Sequence, residues 1–549
     1  MKVGEAIAYI LGCEGVDTLI GYPVSPLIEP AAAAGIRPII VRQERTGIHM
    51  ADSMSRMTSG KRIGVFTMQM GPGSENAFGG VAQAFADSVP ILVLAAGHDR
   101  REMTMPPNFS AYLNYRNVTK WIDQLVLPET VVPTMRRAFA RLRNGRPRPV
   151  LVEVPWDVWD EECPDPSGYV PPIAVRSAPD PADVERAAEL LVAAERPILY
   201  AGQGVHYAEA WTELRAMAEL LGAPVTTSLQ GKSAFPEDHP LSLGSGGRTV
   251  PRPVDVFMGD ADLVFGIGAS FIKTGYGLQW PTAKRYIHAT VDPADLDQIV
   301  PVEVGLVGDA RLTLAALLEA VGDRIREPRM ERAATVAARI AGIRREWLAD
   351  WAVKTDSDEV PMTPYRVMRD LAASVDVART TITHDAGSPR DQISPFWQAT
   401  TPLSYIGWGK STQLGYGLGL AMGAKLAHPD RLCMNIMGDA AFGMTGLDFE
   451  TAVRERIPIL TVVLNNYSMA IELIEMPIST ELYRSTDIGG SYAAIARDLG
   501  GWGERVTEPS EIGAAVRRAV SATEAGQPAL LEFITSKEVA ISMPGSTVP

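Results

Sequence analysis

A chain of 549 residues is too long for one hydrophobic core, and its length predicts about three domains. Hydrophobic residues make up 46% and charged residues 21%, an ordinary globular balance. The net charge of -14 argues against nucleic acid or an anionic membrane surface as the main partner.

Cys13, Cys163 and Cys433 give neither a disulfide framework nor a zinc spacing. The first residues, MKVGEAIAYILGCEG, lack the apolar run of a secretory leader, and no run approaches the roughly 20 apolar residues of a membrane helix. The expected setting is a reducing, cytoplasmic one.

Along the chain, short apolar runs alternate with helical patterns, the signature of parallel α/β architecture. The runs at 18–22, 37–41, 63–68, 90–96 and 149–155 are predicted strands, with helical patterns at 46–59 and 75–88 between them. They form a first domain, 1–165. A proline-rich passage then reads as a linker over 166–184. A second domain, 185–325, has predicted strands at 196–202, 224–228, 263–268 and 285–292 and closes with a helix at 311–325. A charged helical connection, 326–358, leads to a third domain, 359–549, with predicted strands at 380–385, 432–439, 459–466 and 528–534. The expected fold is α/β, three tandem doubly wound parallel-sheet domains.

In such sheets ligands gather at the carboxyl ends of strands, where helix N-termini converge. That rule selects Gly21-Tyr22-Pro23, Arg42-Gln43-Glu44, Met70-Gly71-Pro72-Gly73 and Gly97-His98 in the first domain. In the third it selects His384-Asp385, Gly438-Asp439 and Asn465-Asn466. Gly202-Gln203-Gly204 and Gly266-Ile267-Gly268 are weaker candidates in the second. Gly438-Asp439-Ala440-Ala441 offers backbone amides to phosphate oxygens, and an aspartate beside a diphosphate suits Mg2+. Asn465-Asn466, ending the next strand, adds neutral oxygen ligands. Either pair alone reads as a turn. Together they point at one metal ion.

Gly438-Asp439-Ala440, 24 residues and Asn465-Asn466 resemble the signature of thiamine-diphosphate enzymes, with alanine in place of that signature's third glycine. RQERTGIHMADSMSR and MGPGSENAFGGVAQAFADSVPILVLAAG resemble the pyrimidine-binding domain of acetolactate synthase-like enzymes. ERPILYAGQGV and YIHATVDPADLD resemble their middle domain, and STQLGYGLGLAMGAKLAHPDR the start of their diphosphate-binding domain. The resemblance implies thiamine diphosphate and Mg2+ as cofactors. Glu44 matches the glutamate that bonds the cofactor's pyrimidine ring, a role requiring a dry pocket and a raised pKa. Leu414 matches the apolar residue that props the cofactor in a bent shape, and Thr412 would offer it a carbonyl. Asp439, Asn466 and the Ser468 carbonyl match the metal ligands. Gly387, Ser388, Gly438, Ala440 and Ala441 match the diphosphate cradle, and Pro23, Gly73, Asn76 and Met469 complete the expected cofactor-binding set. In this family the glutamate and the metal aspartate serve one site from two subunits, which implies a homodimer or homotetramer.

The reaction is less sharply marked. The Arg-Phe-Asp-Asp-Arg stretch of acetolactate synthases stands here as Ser270-Phe271-Ile272-Lys273-Thr274, without its arginines, so FAD is not expected. Glu472 matches in register a glutamate of 2-oxo acid decarboxylases that handles protons beside the substrate. His98 is a further candidate acid or base, and Ser25, Phe109, Tyr112, Met469 and Glu472 are candidate substrate contacts. The leading expectation is an acetolactate synthase-like 2-oxo acid decarboxylase or carboligase. GDAAFGMTG also resembles 2-hydroxyacyl-CoA lyase and oxalyl-CoA decarboxylase, so aldehyde and acyl-CoA substrates stay open. A catalytically silent cofactor-binding homologue is the alternative of a different class.

Overall fold

Burial on both faces turns near-continuous runs of Val, Ile and Leu into parallel strands, which here form three six-stranded sheets. The computed structural model describes residues 1–281, 283–325 and 327–546. The first sheet contains β1 (Thr18–Gly21), β2 (Arg37–Ile40), β3 (Gly64–Met68), β4 (Ile91–Gly97), β5 (Trp121–Gln124) and β6 (Val150–Pro155), in the order β2-β1-β3-β4-β6-β5. The second contains β7 (Pro197–Ala201), β8 (Val225–Ser228), β9 (Ser242–Gly246), β10 (Leu263–Ile267), β11 (Arg285–Thr290) and β12 (Val304–Val307), in the order β12-β11-β10-β7-β8-β9. The third contains β13 (Thr380–His384), β14 (Tyr405–Ile406), β15 (Leu432–Gly438), β16 (Leu460–Asn465), β17 (Trp502–Val506) and β18 (Ala529–Ile534), in the order β14-β13-β15-β16-β18-β17. The pairing is parallel throughout the described sheets.

The first and third sheets therefore share one strand order, and the second has the doubly wound order of dinucleotide-binding folds. Strand order reverses at β1/β3, at β7/β10 and at β13/β15, and crevices open there at the carboxyl ends. The expected three-domain α/β architecture is present. Strands β5, β9, β12, β14 and β17 are additions to the sequence reading, and each lies at a sheet edge. The helix Pro181–Ala193 begins inside the stretch read as a linker, and Met330–Thr355 forms a single long helix within the charged connection. Position 326, where that connection was expected to start, and the last three residues of the third domain lie outside the described residues.

The first and third domains share a hydrophobic core. Its seam joins helix Glu44–Met57 to helix Tyr416–Ala427. Glycines set the closeness of that seam. A Cβ on Gly423 would lie 2.2 Å from the Met50 carbonyl oxygen, and one on Gly419 would lie 2.5 Å from the His49 Cβ. Either side chain would push the two helices apart. No described helix is long and apolar enough to cross a membrane.

Candidate active site

At the β13/β15 switch point, β13 runs into Asp385 and Ala386, and Gly387 opens the helix Ser388–Ile393. Beside it β15 ends at Gly438, and Asp439 starts the helix Asp439–Thr445. The next strand, β16, ends at Asn465. Beyond it, Tyr467 adopts a left-handed backbone conformation with φ of 57°, and the Asn466 Oδ1 accepts a 2.9 Å hydrogen bond from the Ser468 amide. The turn brings Asn466 and Ser468 back over Asp439. A cavity of about 80 Å3 is lined there by Gly387, Ser388, Leu414, Asp439, Asn466 and Glu472, with Gly438, Ala440, Ala441, Ser468 and Met469 also on its wall.

The chemistry of this cavity lies in its unpaired oxygens. Asp439 is buried, its Oδ1 accepts from the Ala440 amide at 2.8 Å, and its Oδ2 has no partner. The Ser468 hydroxyl is also buried and unpartnered. Burial raises the Asp439 pKa, while the amides of Ala440, Ser468, Tyr467 and Asn466 pull it down. A buried carboxylate oxygen without a donor is costly unless a cation meets it. Among the described residues no group of three or more His, Cys, Asp or Glu gathers around a metal position. A cation here would draw on Asp439, amide and carbonyl oxygens and the oxygens of its own ligand, a donor set that suits Mg2+. The glycines leave room for that ligand. A Cβ on Gly438 would meet nothing nearer than Pro389 Cγ at 3.9 Å, and one on Gly387 nothing nearer than Ile471 Cδ1 at 3.8 Å.

A second group forms in the first domain. Glu44 begins the helix Glu44–Met57 yet is only 4% exposed, and desolvation raises its pKa. Asn76 Nδ2 donates to Glu44 Oε2 at 3.3 Å, and a Cβ on Gly73 would lie 3.5 Å from Glu44 Oε1. Glu44, Gly73 and Asn76 thus share one place, the crevice side of β2 and β3. None of them lines the cavity around Asp439, nor do Pro23, Ser25, His98, Phe109 or Tyr112.

Two of these remaining residues have polar or cation partners nearby. The Ser25 and Thr67 hydroxyls lie 2.6 Å apart, and the Arg116 guanidinium sits 4.5 Å from the Tyr112 ring centroid. Phe109 packs on the shared core, and His98 is half-buried with an unpartnered Nε2. Thr412 is half-buried two residues before Leu414.

A second cavity, of about 370 Å3, lies where the three domains meet. Of the weaker glycine candidates of the middle domain, Gly202, Gly204 and Gly268 line it, and a Cβ on Gly202 would lie 2.3 Å from the Gly268 carbonyl oxygen. Lys410 reaches its wall, half-buried, with Nζ 3.3 Å from the Ser270 hydroxyl, and desolvation pushes its pKa down to about 8. Sequence patterning gave no sign of Lys410, whose partner Ser270 lies 140 residues away in the middle domain. Asp385 carried a strand-end signal, but its partners Gly415 and Gly417 lie on a separate segment.

Comparison with known proteins agrees with this geometry. Residues 1–126 match the thiamine pyrophosphate enzyme N-terminal TPP binding domain, 184–317 the central domain and 385–533 the C-terminal TPP binding domain. The chain is 29% identical to a probable acetolactate synthase large subunit of Methanocaldococcus jannaschii, across 99% of this chain and 93% of that protein. It is 29% identical to the glyoxylate carboligase of Escherichia coli O157:H7, across 99% and 94% of the two chains. It is 30% identical to the acetolactate synthase large subunit of Parasynechococcus marenigrum, across 90% and 81%. The chain therefore belongs to the thiamine pyrophosphate enzyme family, among its acetolactate synthase-like members.

Proposed function

We propose that the protein is a thiamine-diphosphate and Mg2+-dependent enzyme that makes or breaks a C–C bond beside the carbonyl of a 2-oxo acid, as a decarboxylase or carboligase. The observation that carries this reading is the buried, unpartnered Asp439 Oδ2, set against Asn466 and the open glycine cradle of Gly387 and Gly438. Asp439, Asn466 and the Ser468 carbonyl would hold the metal, and Ser388, Ala440 and Ala441 would face the diphosphate. When bound, the cofactor supplies a carbon nucleophile that also accepts the electron pair released by bond cleavage. Leu414 lines the same cavity and would prop the cofactor in a bent shape. Glu44, dry and raised in pKa, is suited to share a proton with a ring nitrogen. Glu472, which lines the same cavity as Met469, would serve as the acid or base beside the substrate.

Among the described residues no first-domain residue lines the Asp439 cavity, which supports a second copy as the source of the Glu44 group. The working unit is at least a homodimer. Binding of thiamine diphosphate with and without Mg2+, followed by a panel of 2-oxo acids read by CO2 release and product mass, tests the reading. Absence of cofactor binding would overturn it.

A second reading, a lyase or decarboxylase acting on acyl-CoA, rests on the 370 Å3 cavity, whose floor lies at the switch point of a sheet with dinucleotide-binding order. Acyl-CoA thioesters belong in the same panel. With Ser270 and Thr274 where acetolactate synthases carry arginines, the purified enzyme should show no flavin absorbance on extraction.

A further inference from the structure

Asp385 has an unusual set of partners. It is fully buried, and its carboxylate accepts only from backbone amides: Oδ1 from Ala386 at 2.8 Å and Gly415 at 2.9 Å, Oδ2 from Gly417 at 3.0 Å. Ala386 leads into the Gly387-Ser388 cradle, and Gly415 directly follows Leu414. One carboxylate thus ties the cradle to the Leu414 turn. Burial pushes the Asp385 pKa up to about 6 while the three amides hold it down, so the carboxylate form prevails at neutral pH.

Gly415 is held from its other side as well. The Thr445 hydroxyl donates to the Gly415 carbonyl at 2.9 Å, and Thr445 closes the helix that begins with Asp439. Gly415 has φ of 87°, and a Cβ there would lie 2.7 Å from the Thr445 Oγ1. A glycine is therefore required by both backbone conformation and space. Its amide is fixed to the β13 loop and its carbonyl to the Asp439 helix.

We propose that Asp385 and Thr445 are positioning residues that lock the Leu414 turn to the diphosphate cradle and to the metal-binding helix, and so set the distance between the two ends of the bound cofactor. Neither side chain lines the cavity. They act through Leu414, Gly387 and Asp439. The inference rests on the thiamine-diphosphate reading above.

The test is calorimetric titration of the full-length apo protein with thiamine diphosphate in the presence of Mg2+, paired with apo melting curves. Asp385→Asn places an amide N–H against a backbone N–H, and Thr445→Val removes one hydroxyl at nearly constant volume. Asp385→Asn should weaken cofactor binding by about 10- to 100-fold, the range seen when supporting hydrogen bonds behind a ligand are removed. Thr445→Val should weaken it less but in the same direction, with the apo protein still melting cooperatively. In both, the cofactor Kd should move more than the KM for the 2-oxo acid. Wild-type affinity within twofold in Thr445→Val, and in Asp385→Asn where it folds, would overturn the inference while leaving the cofactor reading intact. Failure of the wild type to bind would overturn both.

Discussion

Arg56 and Asp52, one helical turn apart, form a two-pronged ion pair inside the protein, with Nε to Oδ1 at 2.6 Å and Nη2 to Oδ2 at 3.1 Å. The same guanidinium donates to the Gly407 carbonyl at 3.0 Å, and the Tyr416 hydroxyl donates to Asp52. Asp87 joins the cluster and accepts from Gln230 of the middle domain at 3.1 Å. All three domains meet on this one network.

Arg56→Met should therefore destabilise the fold by about 3–5 kcal/mol, because it leaves Asp52 buried without its cation. Chemical denaturation would read the loss. A change under 1 kcal/mol would show that the cluster is held mainly by its other members.

Asp439→Asn should separate stability from binding. The apo protein should melt no lower than wild type, since a buried oxygen without a partner is replaced by a neutral amide. Stabilisation by Mg2+ with thiamine diphosphate should disappear. Melting curves with and without both ligands check the two halves of this prediction together.

Glu44→Gln keeps the shape of the buried side chain and removes its proton exchange. The variant should still bind cofactor and metal, with kcat lower by about 100-fold or more, the range of general acid–base contributions. Full turnover would remove Glu44 from the mechanism.

His206 makes an acid-sensitive point in the middle domain. Its Nδ1 accepts from the Trp211 indole at 3.1 Å, which leaves Nε2 as the N–H donor to the Lys232 carbonyl, also at 3.1 Å. Burial pushes its pKa from the ordinary 6.5 down to about 4. Between those values the unfolded chain binds a proton that the folded chain refuses. The stabilisation is complete above pH 6.5 and is lost as pH falls toward 4, by about 3 kcal/mol. His206→Gln should remove this part of the pH dependence, read as the difference between wild-type and variant denaturation curves at pH 7 and pH 4.5.

How much of this was legible in sequence follows from where each residue's signal lies. Central strands such as β15 and β16 are buried on both faces and read as unbroken apolar runs. Edge strands lose that pattern: β5 is Trp-Ile-Asp-Gln with every residue half-buried, and β9 is Ser-Leu-Gly-Ser-Gly. Asp439 and Asn466 could be picked out because strand-end loops carry local signatures of small and hard-oxygen residues, whereas Gly387 came from the family resemblance alone. The pinning of Gly415 by Asp385 and Thr445 could not, since each contact joins segments about thirty residues apart with no periodic pattern.

The shared strand order of the first and third sheets has one more consequence. The chain holds two copies of one architectural frame, and they have specialised in opposite directions. One crevice offers a dry carboxyl group, while its counterpart offers amides, an amide oxygen and an uncompensated carboxylate. A cofactor with a basic ring at one end and a diphosphate at the other needs one crevice of each kind. Within a single chain the two frames pack together across a glycine-tightened helical seam. Under the proposed dimeric reading, catalytic competence is a property of a pair of chains, and dilution below the dimer's dissociation range should abolish both sites together.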